Sequence, residues 1–132
     1  MILHYIPKDQ LRQHWNFVKE GLEIVRSKGH FEWLVEDVYC DCYENRSMLF
    51  IGIHENYPIG FIVLQPNGNS VHIWATWSKA NDKNIMLECW EEVKQIVKNG
   101  NANKITFSSQ RKGWERKAKY LGFTPQTWEY KF

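Results

Sequence analysis

The feature that most limits how this chain folds is an apolar run followed by a short polar segment and then by a predicted helix. Residues Val71–Trp77 have the composition of a buried strand, and a polar connection, Ser78–Asn84, follows directly. Apolar residues then recur at helical spacing over Lys83–Asn99, and a further strand is predicted at Lys104–Ser109. Because two strands joined by a helix lie parallel in one sheet, the sheet contains a parallel pair.

The rest of the chain predicts antiparallel strands. Two apolar runs separated only by Asn56 and Tyr57 predict a hairpin, and the Asn-Gly pair at 67–68 predicts a tight turn into the next strand. We therefore predict an α+β fold with a mixed sheet, as a single domain over residues 1–132, in the order β-α-α-β-β-β-α-β-α-β. The remaining predicted elements are the strands Ile2–Ile6, Ser47–Glu55, Pro58–Gln65, Ser70–Trp77 and Thr127–Phe132, and the helices Lys8–Lys28 with Asp9 as N-cap, Phe31–Tyr43 and Lys112–Leu121.

Charge and composition argue against several classes of protein. The 17 Lys and Arg residues against 15 Asp and Glu give a net charge of +2, which is too small to favour nucleic acid as a partner. No apolar run reaches the roughly 18 residues of a membrane span, and the first residues lack the pattern of a signal peptide, so we expect a cytoplasmic protein. Three cysteines without a Cys-x-x-Cys pair predict neither a disulfide framework nor a metal site.

The last predicted helix carries the most specific local pattern. Its segment Arg116–Phe123 contains a tyrosine followed by Leu-Gly-Phe, which is how the last helix of one enzyme family ends. Together with the order of elements over the whole chain, this segment resembles the GCN5-related N-acetyltransferase superfamily. The resemblance implies that the two central strands splay apart, that acetyl-CoA or CoA lies in the V-shaped gap, and that an acyl group is transferred to an amine substrate.

The same resemblance places the cofactor loop on the polar connection. The family's Arg/Gln-x-x-Gly-x-Gly/Ala pattern puts its basic residue near Ser78 and its glycines near Lys79, Asn81 and Lys83, so all three glycines are replaced. Lysine charge and a left-handed Asn81 are the expected substitutes. An ordinary connection in which Asn81 or Asp82 caps the helix is the alternative. The expected cofactor-binding residues are Trp74, Thr76, Trp77, Ser78, Lys79, Asn81, Lys83, Asn84, Ser109 and Arg111, the last of which stands where the family has an asparagine.

Amine acetylation requires a base, and the family also uses an acid. His72 is the candidate base, because an imidazole with a pKa near 6.5 accepts a proton close to neutral pH. His54 and Glu55 in the hairpin are further candidates, and a histidine that is merely hydrogen-bonded in the sheet is the alternative. The family's tyrosine acid falls on Ala118, which leaves Tyr120, roughly 200° further round the helix, as the candidate acid.

Strand alternation predicts which side chains surround the candidate base. One face of the strand is partly polar, with Ser70, His72, Trp74 and Thr76, and the other is apolar, with Val71, Ile73, Ala75 and Trp77. The second helix carries five acidic residues, which are either a solvated face or an acidic rim suited to a cationic amine. They are Glu32, Glu36, Asp37, Asp41 and Glu44.

Two functional classes follow from these observations. The first is an acetyl-CoA-dependent N-acetyltransferase with a degenerate pyrophosphate loop. The second is a non-catalytic module of the same fold that contacts a protein partner or a second copy of itself. Small chains of this type without the glycine loop resemble some phage-encoded proteins, for which a role in assembly and a place in the virion would be expected.

Overall fold

The computed structural model describes residues 2–80, 82–108, 114–124, 130 and 132, and its central element is a five-stranded sheet. A single turn of 3-10 helix, Lys8–Gln10, precedes the first α-helix. In chain order the elements are β1 (Ile2–Ile6), α1 (Leu11–Arg26), α2 (Val35–Tyr43), β2 (Met48–His54), β3 (Tyr57–Asn67), β4 (Ser70–Ser78), α3 (Lys83–Asn99), β5 (Lys104–Phe107) and α4 (Trp114–Tyr120).

The sheet has the strand order β1-β2-β3-β4-β5. The first four strands pair antiparallel, and β5 pairs parallel with β4, so the predicted mixed sheet and α+β class are confirmed. The crossover from β4 to β5 runs through α3, as the strand-helix-strand order requires. The predicted final strand, Thr127–Phe132, lies outside the described residues except for Tyr130 and Phe132.

Each face of the sheet carries its own apolar cluster. On one face α1 and α2 pack over β2, β3 and β4, with Leu11, Val18 and Leu22 fully buried. On the other face α3 packs through Val93 and Val97. A sheet covered on both faces explains why the central strands read as nearly continuous apolar runs.

Two predictions about helix starts are wrong. The second helix begins at Val35 rather than Phe31, because the backbone of Leu34 is extended and its N–H donates to the Asp37 carboxylate at 2.7 Å. Asp9 is not the N-cap of the first helix. It lies inside the 3-10 turn, which closes when the Gln10 N–H donates to the Pro7 carbonyl at 3.0 Å.

Two kinds of feature are absent from the described part of the chain. No helix there is both long enough and apolar enough to cross a membrane. No group of three or more His, Cys, Asp or Glu side chains there is arranged to hold a metal ion.

Candidate active site at the fork between β4 and β5

The two central strands separate part of the way along their length. β5 pairs with β4 only from Ser70 to Ile73, and β4 then continues to Ser78. Within the described residues, the segment Trp74–Ser78 has β3 as its only neighbouring strand. Its free edge is about 13 Å long at the rise of an extended strand. We call this opening the fork, and it forms where the resemblance predicts the V-shaped gap.

A β-bulge lies at the apex of the fork. Val63 of β3 pairs with Ala75 and the next residue, Leu64, pairs with Ile73, so Trp74 is left without a direct partner. An extra residue of this kind bends a strand and changes which face its side chains reach.

The bulge makes the predicted division of β4 into two faces wrong. Val71 and Ile73 pack on the α3 side, as alternation predicts. Beyond the bulge, Ala75 and Trp77 pack on the opposite side, against α1 and α2, and Trp74 packs there as well. The four residues predicted to share one apolar face are therefore divided between the two cores.

His72 lies just before the apex, where β4 and β5 are still paired. Its Nδ1 atom is 2.8 Å from the hydroxyl oxygen of Thr106, its register partner on β5. Among the described residues, the imidazole has no other side-chain hydrogen-bond partner. Burial lowers the pKa of His72 below its ordinary value of 6.5, so the ring is neutral at pH 7.

Two of the expected cofactor residues on β4 have their side chains in use within the fold. The Trp77 ring packs against Phe17 of α1 and Phe61 of β3, with ring centroids 5.8 and 6.2 Å away. Gly21 of α1 lies so close to Trp77 that an added Cβ would be 2.7 Å from the indole. The Thr76 hydroxyl donates to the Phe61 carbonyl at 3.1 Å. Adjacent residues of a strand point their N–H and C=O groups to opposite sides, so only one of these two residues directs its backbone groups to the free edge, and the other bonds to β3.

Four backbone N–H groups in the loop after β4 and in the first turn of α3 are bonded within the chain. The N–H of Lys79 donates to the Ile59 carbonyl at 2.7 Å, and that of Ala80 donates to the Ser78 hydroxyl at 3.1 Å. Asp82 caps α3, as one of the two alternatives predicted. Its carboxylate accepts from the N–H groups of Asn84 and Ile85 at 2.8 and 3.4 Å. A carboxylate of the chain itself therefore occupies the helix N-terminus where a phosphate would bind.

Two lysines supply positive charge beside this loop. The Lys79 ammonium lies 5.2 Å from the ring centroid of Phe17, and the Lys83 ammonium lies 4.5 Å from that of Tyr120. Both side chains are exposed, so each charge is accessible to a ligand. Lys83 is the first residue of α3, so its contact with Tyr120 places this candidate acid beside the loop. The candidate base, His72, lies elsewhere, against β5.

The other expected site residues are not brought to the apex. His54 and Glu55, with Nε2 and Oε1 3.9 Å apart, lie where β2 turns into β3 and are separated from the free edge of β4 by β3. Asn81, Ser109 and Arg111 lie outside the described residues.

Sequence reasoning missed two residues at the apex. Thr106 became visible only once the register of β4 against β5 was known. Trp33 was assigned to a helix, but it lies in the connection before α2 and its ring centroid is 5.9 Å from that of Trp74. A tryptophan followed by Leu34 and a helix-capping Asp37 is the signal that would have placed Trp33 in a loop.

Two of the three cysteines, Cys42 and Cys89, are poor nucleophiles. Burial raises the pKa of Cys42 to about 12 and that of Cys89 to about 11, with Asp41 and Glu92 respectively adding to the effect. Both are therefore protonated thiols at neutral pH.

Comparison with known proteins gives a consistent fold and little sequence similarity. No protein-family model and no curated protein sequence matches the chain. Among solved structures, a probable acetyltransferase superposes with a TM-score of 0.72 at 11% identity, covering 100% of this chain and 97% of the other. An aminoglycoside acetyltransferase from an uncultured soil metagenomic sample, in complex with sisomicin, gives 0.69 at 12% identity, covering 99% and 93%. The PaiA N-acetyltransferase of Thermoplasma acidophilum, in complex with coenzyme A, gives 0.61 at 15% identity, covering 91% and 89%. The chain therefore has the fold of the N-acetyltransferases.

Proposed function

We propose that this protein binds acetyl-CoA at the fork and transfers its acetyl group to an amine. The observation that carries the proposal is the free edge of β4 from Trp74 to Ser78, which begins at a bulge and ends at a loop with two lysines. An extended, amide-containing ligand can pair with such an edge as a strand would. Acetyl-CoA would supply an activated thioester, and the overall reaction converts an ammonium and the thioester into an amide, a free thiol and a proton.

The residues at the loop fit the phosphate end of coenzyme A through charge. Lys79 and Lys83 flank the loop and are exposed, and an ammonium is a strong donor to a phosphate oxygen. The backbone N–H groups of Lys79, Ala80, Asn84 and Ile85 already have partners within the chain. We propose that this is a degenerate pyrophosphate loop, in which lysine charge replaces amide contacts.

We assign His72 the role of base. With the Nδ1 proton donated to the Thr106 hydroxyl, Nε2 holds the lone pair that accepts a proton from the substrate ammonium. Since burial lowers the pKa of His72, the neutral form persists below pH 6.5. The rate should therefore fall only as the pH drops through a value below 6.5. Replacing His72 with Gln should lower kcat by about a hundredfold or more, the usual contribution of a general base. Tyr120 is the candidate acid for the leaving thiolate, but its ring contacts Lys83 at the phosphate end of the site, so this role requires Tyr120 to move toward the thioester.

Thermal stability tests whether the cofactor binds. Ligand at one hundred times its Kd stabilises the native state by about 2.7 kcal/mol, a rise in Tm of roughly 8 to 13 °C for a chain of this size. Lys83→Ala should reduce this rise, and Lys98→Ala, an exposed lysine in the last turn of the same helix, is the matched control. Equal effects of the two substitutions would show that the loop is not the phosphate site. No rise with millimolar acetyl-CoA would remove the enzyme proposal.

A non-catalytic module of this fold is the second candidate. The observation that favours it is that Asp82 fills the N-terminus of α3 with the chain's own carboxylate. In that case neither acetyl-CoA nor CoA shifts the Tm, and His72→Gln changes only stability.

A further inference from the structure

An aromatic wall stands beside the candidate base, on the α1 and α2 side of the sheet. The ring centroids of Trp33 and Trp74 are 5.9 Å apart at 65°, and those of Phe31 and Trp33 are 5.3 Å apart. All three rings are only partly buried, so each keeps some exposed surface. His72 projects from the same face, since its neighbours Val71 and Ile73 pack on the other.

Acidic side chains outnumber basic ones between residues 28 and 44, where five carboxylates stand against one lysine, Lys28. Of the five acidic residues between 32 and 44, three are engaged in the fold: Asp37 caps α2, and Asp41 and Glu44 bind Arg46. Glu32 and Glu36 are exposed and have no hydrogen bond or ion pair among the described residues. Glu32 lies between Phe31 and Trp33 in sequence, so its exposed carboxylate belongs to the same connection as two of the rings.

Aromatic faces and free carboxylates together select a particular kind of amine. A tryptophan face attracts a cation that lies over it and also stacks with another ring. Exposed carboxylates raise the local concentration of cations and repel anionic compounds. An amine without an aromatic ring has the charge but no aromatic surface to stack on these rings, so it gains only the electrostatic part of the attraction.

We propose that the acceptor is a primary amine that carries an aromatic ring a short alkyl chain away from its nitrogen. The ring rests on Trp33 and Trp74, and the nitrogen reaches Nε2 of His72. This inference rests on the proposed function for its catalytic meaning, but the binding of the amine is measurable without acetyl-CoA.

Direct binding is the first test. Titration with 2-phenylethylamine should quench tryptophan fluorescence saturably, with a Kd about tenfold lower than that of n-butylamine, which has the charge without the ring. Trp33→Leu should remove this preference. Trp15→Leu, which replaces another half-buried tryptophan that packs on Tyr39 of α2, should leave the preference unchanged. Equal affinity for the two amines, or equal loss in the two variants, would overturn the proposal, provided that both variants show cooperative melting.

Turnover separates this inference from the proposed function. With saturating acetyl-CoA, kcat/KM should favour 2-phenylethylamine over both n-butylamine and sisomicin by about tenfold, and Trp33→Leu should raise KM for the amine without changing KM for acetyl-CoA. If the protein binds the arylalkylamine but does not bind acetyl-CoA, the proposed function fails and the aromatic amine site stands. If acetyl-CoA is turned over with no preference among the amines, the aromatic amine site fails and the proposed function stands.

Discussion

Asp82 offers the sharpest test of how the loop meets a phosphate, because its carboxylate performs two opposed tasks. It caps α3 by accepting from two N–H groups, at 2.8 and 3.4 Å, and it places a negative charge where the ligand's phosphates would lie. Asp82→Ala removes the cap and should cost about 1 kcal/mol of stability, which lowers Tm by roughly 3 to 5 °C. Asp82→Asn keeps a side-chain oxygen that can cap, so its Tm should stay close to that of the wild type.

Both substitutions should raise the affinity for acetyl-CoA, because each removes a negative charge beside the ligand's phosphates. Two unit charges about 6 Å apart repel by roughly 0.7 kcal/mol in water and by roughly 3 kcal/mol at an effective dielectric constant of 20. Asp82 is exposed, so we take about 1 kcal/mol, which is about a fivefold lower Kd for acetyl-CoA in Asp82→Asn.

Calorimetric titration of acetyl-CoA into wild type, Asp82→Asn and Asp82→Ala measures this effect. Glu91→Gln, which removes one acidic charge more than two turns further along α3, is the matched control and should leave Kd unchanged. An Asp82→Asn variant that binds no tighter than wild type would refute the reasoning, since the phosphates would then not lie at the N-terminus of α3.

Three further predictions concern stability and reactivity. Gly21→Ala should destabilise by about 1 to 2 kcal/mol, because the added carbon would lie 2.4 Å from an aromatic ring and overpacking outweighs the gain in helix propensity; a urea midpoint that does not fall would contradict this. In the native protein a thiol reagent should label exposed Cys40 quickly, and it should label Cys42 and Cys89 only on unfolding. Rapid labelling of all three cysteines would contradict this, because the two thiols with a raised pKa would then be accessible and reactive. Burial of Asp41 raises its pKa, but hydrogen bonds to the carboxylate outweigh burial and hold the pKa below 3.8. Asp41→Asn should therefore lower the free energy of unfolding at pH 7, and the difference from wild type should shrink as the pH falls below about 4. Denaturation measured across this pH range tests the prediction.

Local patterns in the sequence were sufficient to predict features that depend on neighbouring residues or on the order of elements. The third helix was predicted as Lys83–Asn99 and has those bounds, because an aspartate cap precedes a long amphipathic run and Gly100 follows it. The parallel pairing of β4 with β5 followed from the order of elements alone. Both outcomes depend on contacts close in sequence or on chain topology, which a sequence displays directly.

Features that depend on a partner strand or a distant ring were not predictable. The bulge at Trp74 exists only because Val63 and Leu64 of β3 pair on either side of it, and no residue type marks the position. The contact of Trp33 with Trp74 depends on the late start of α2, which leaves Trp33 in the connection before that helix. The hydrogen bond between His72 and Thr106, which are 34 residues apart in sequence, required the register between their two strands.

The two parts of the candidate site have different physical origins, and salt distinguishes which of them holds a ligand. The fork depends on backbone pairing. The loop attracts an anion through Lys79 and Lys83, since four N–H groups of the loop and of the first turn of α3 are bonded within the chain. Attraction between exposed charges is screened, as the Debye length falls from about 10 Å at 0.1 M salt to about 3 Å at 1 M.

We therefore expect Kd for acetyl-CoA to rise about tenfold between 0.05 and 0.5 M NaCl, and Lys79→Ala with Lys83→Ala should remove most of that dependence. Backbone N–H groups at a rigid, partly desolvated helix end are screened less. An affinity that hardly changes with salt would mean that these groups contact the phosphates, and Asp82 would then have to leave its position at the N-terminus of α3.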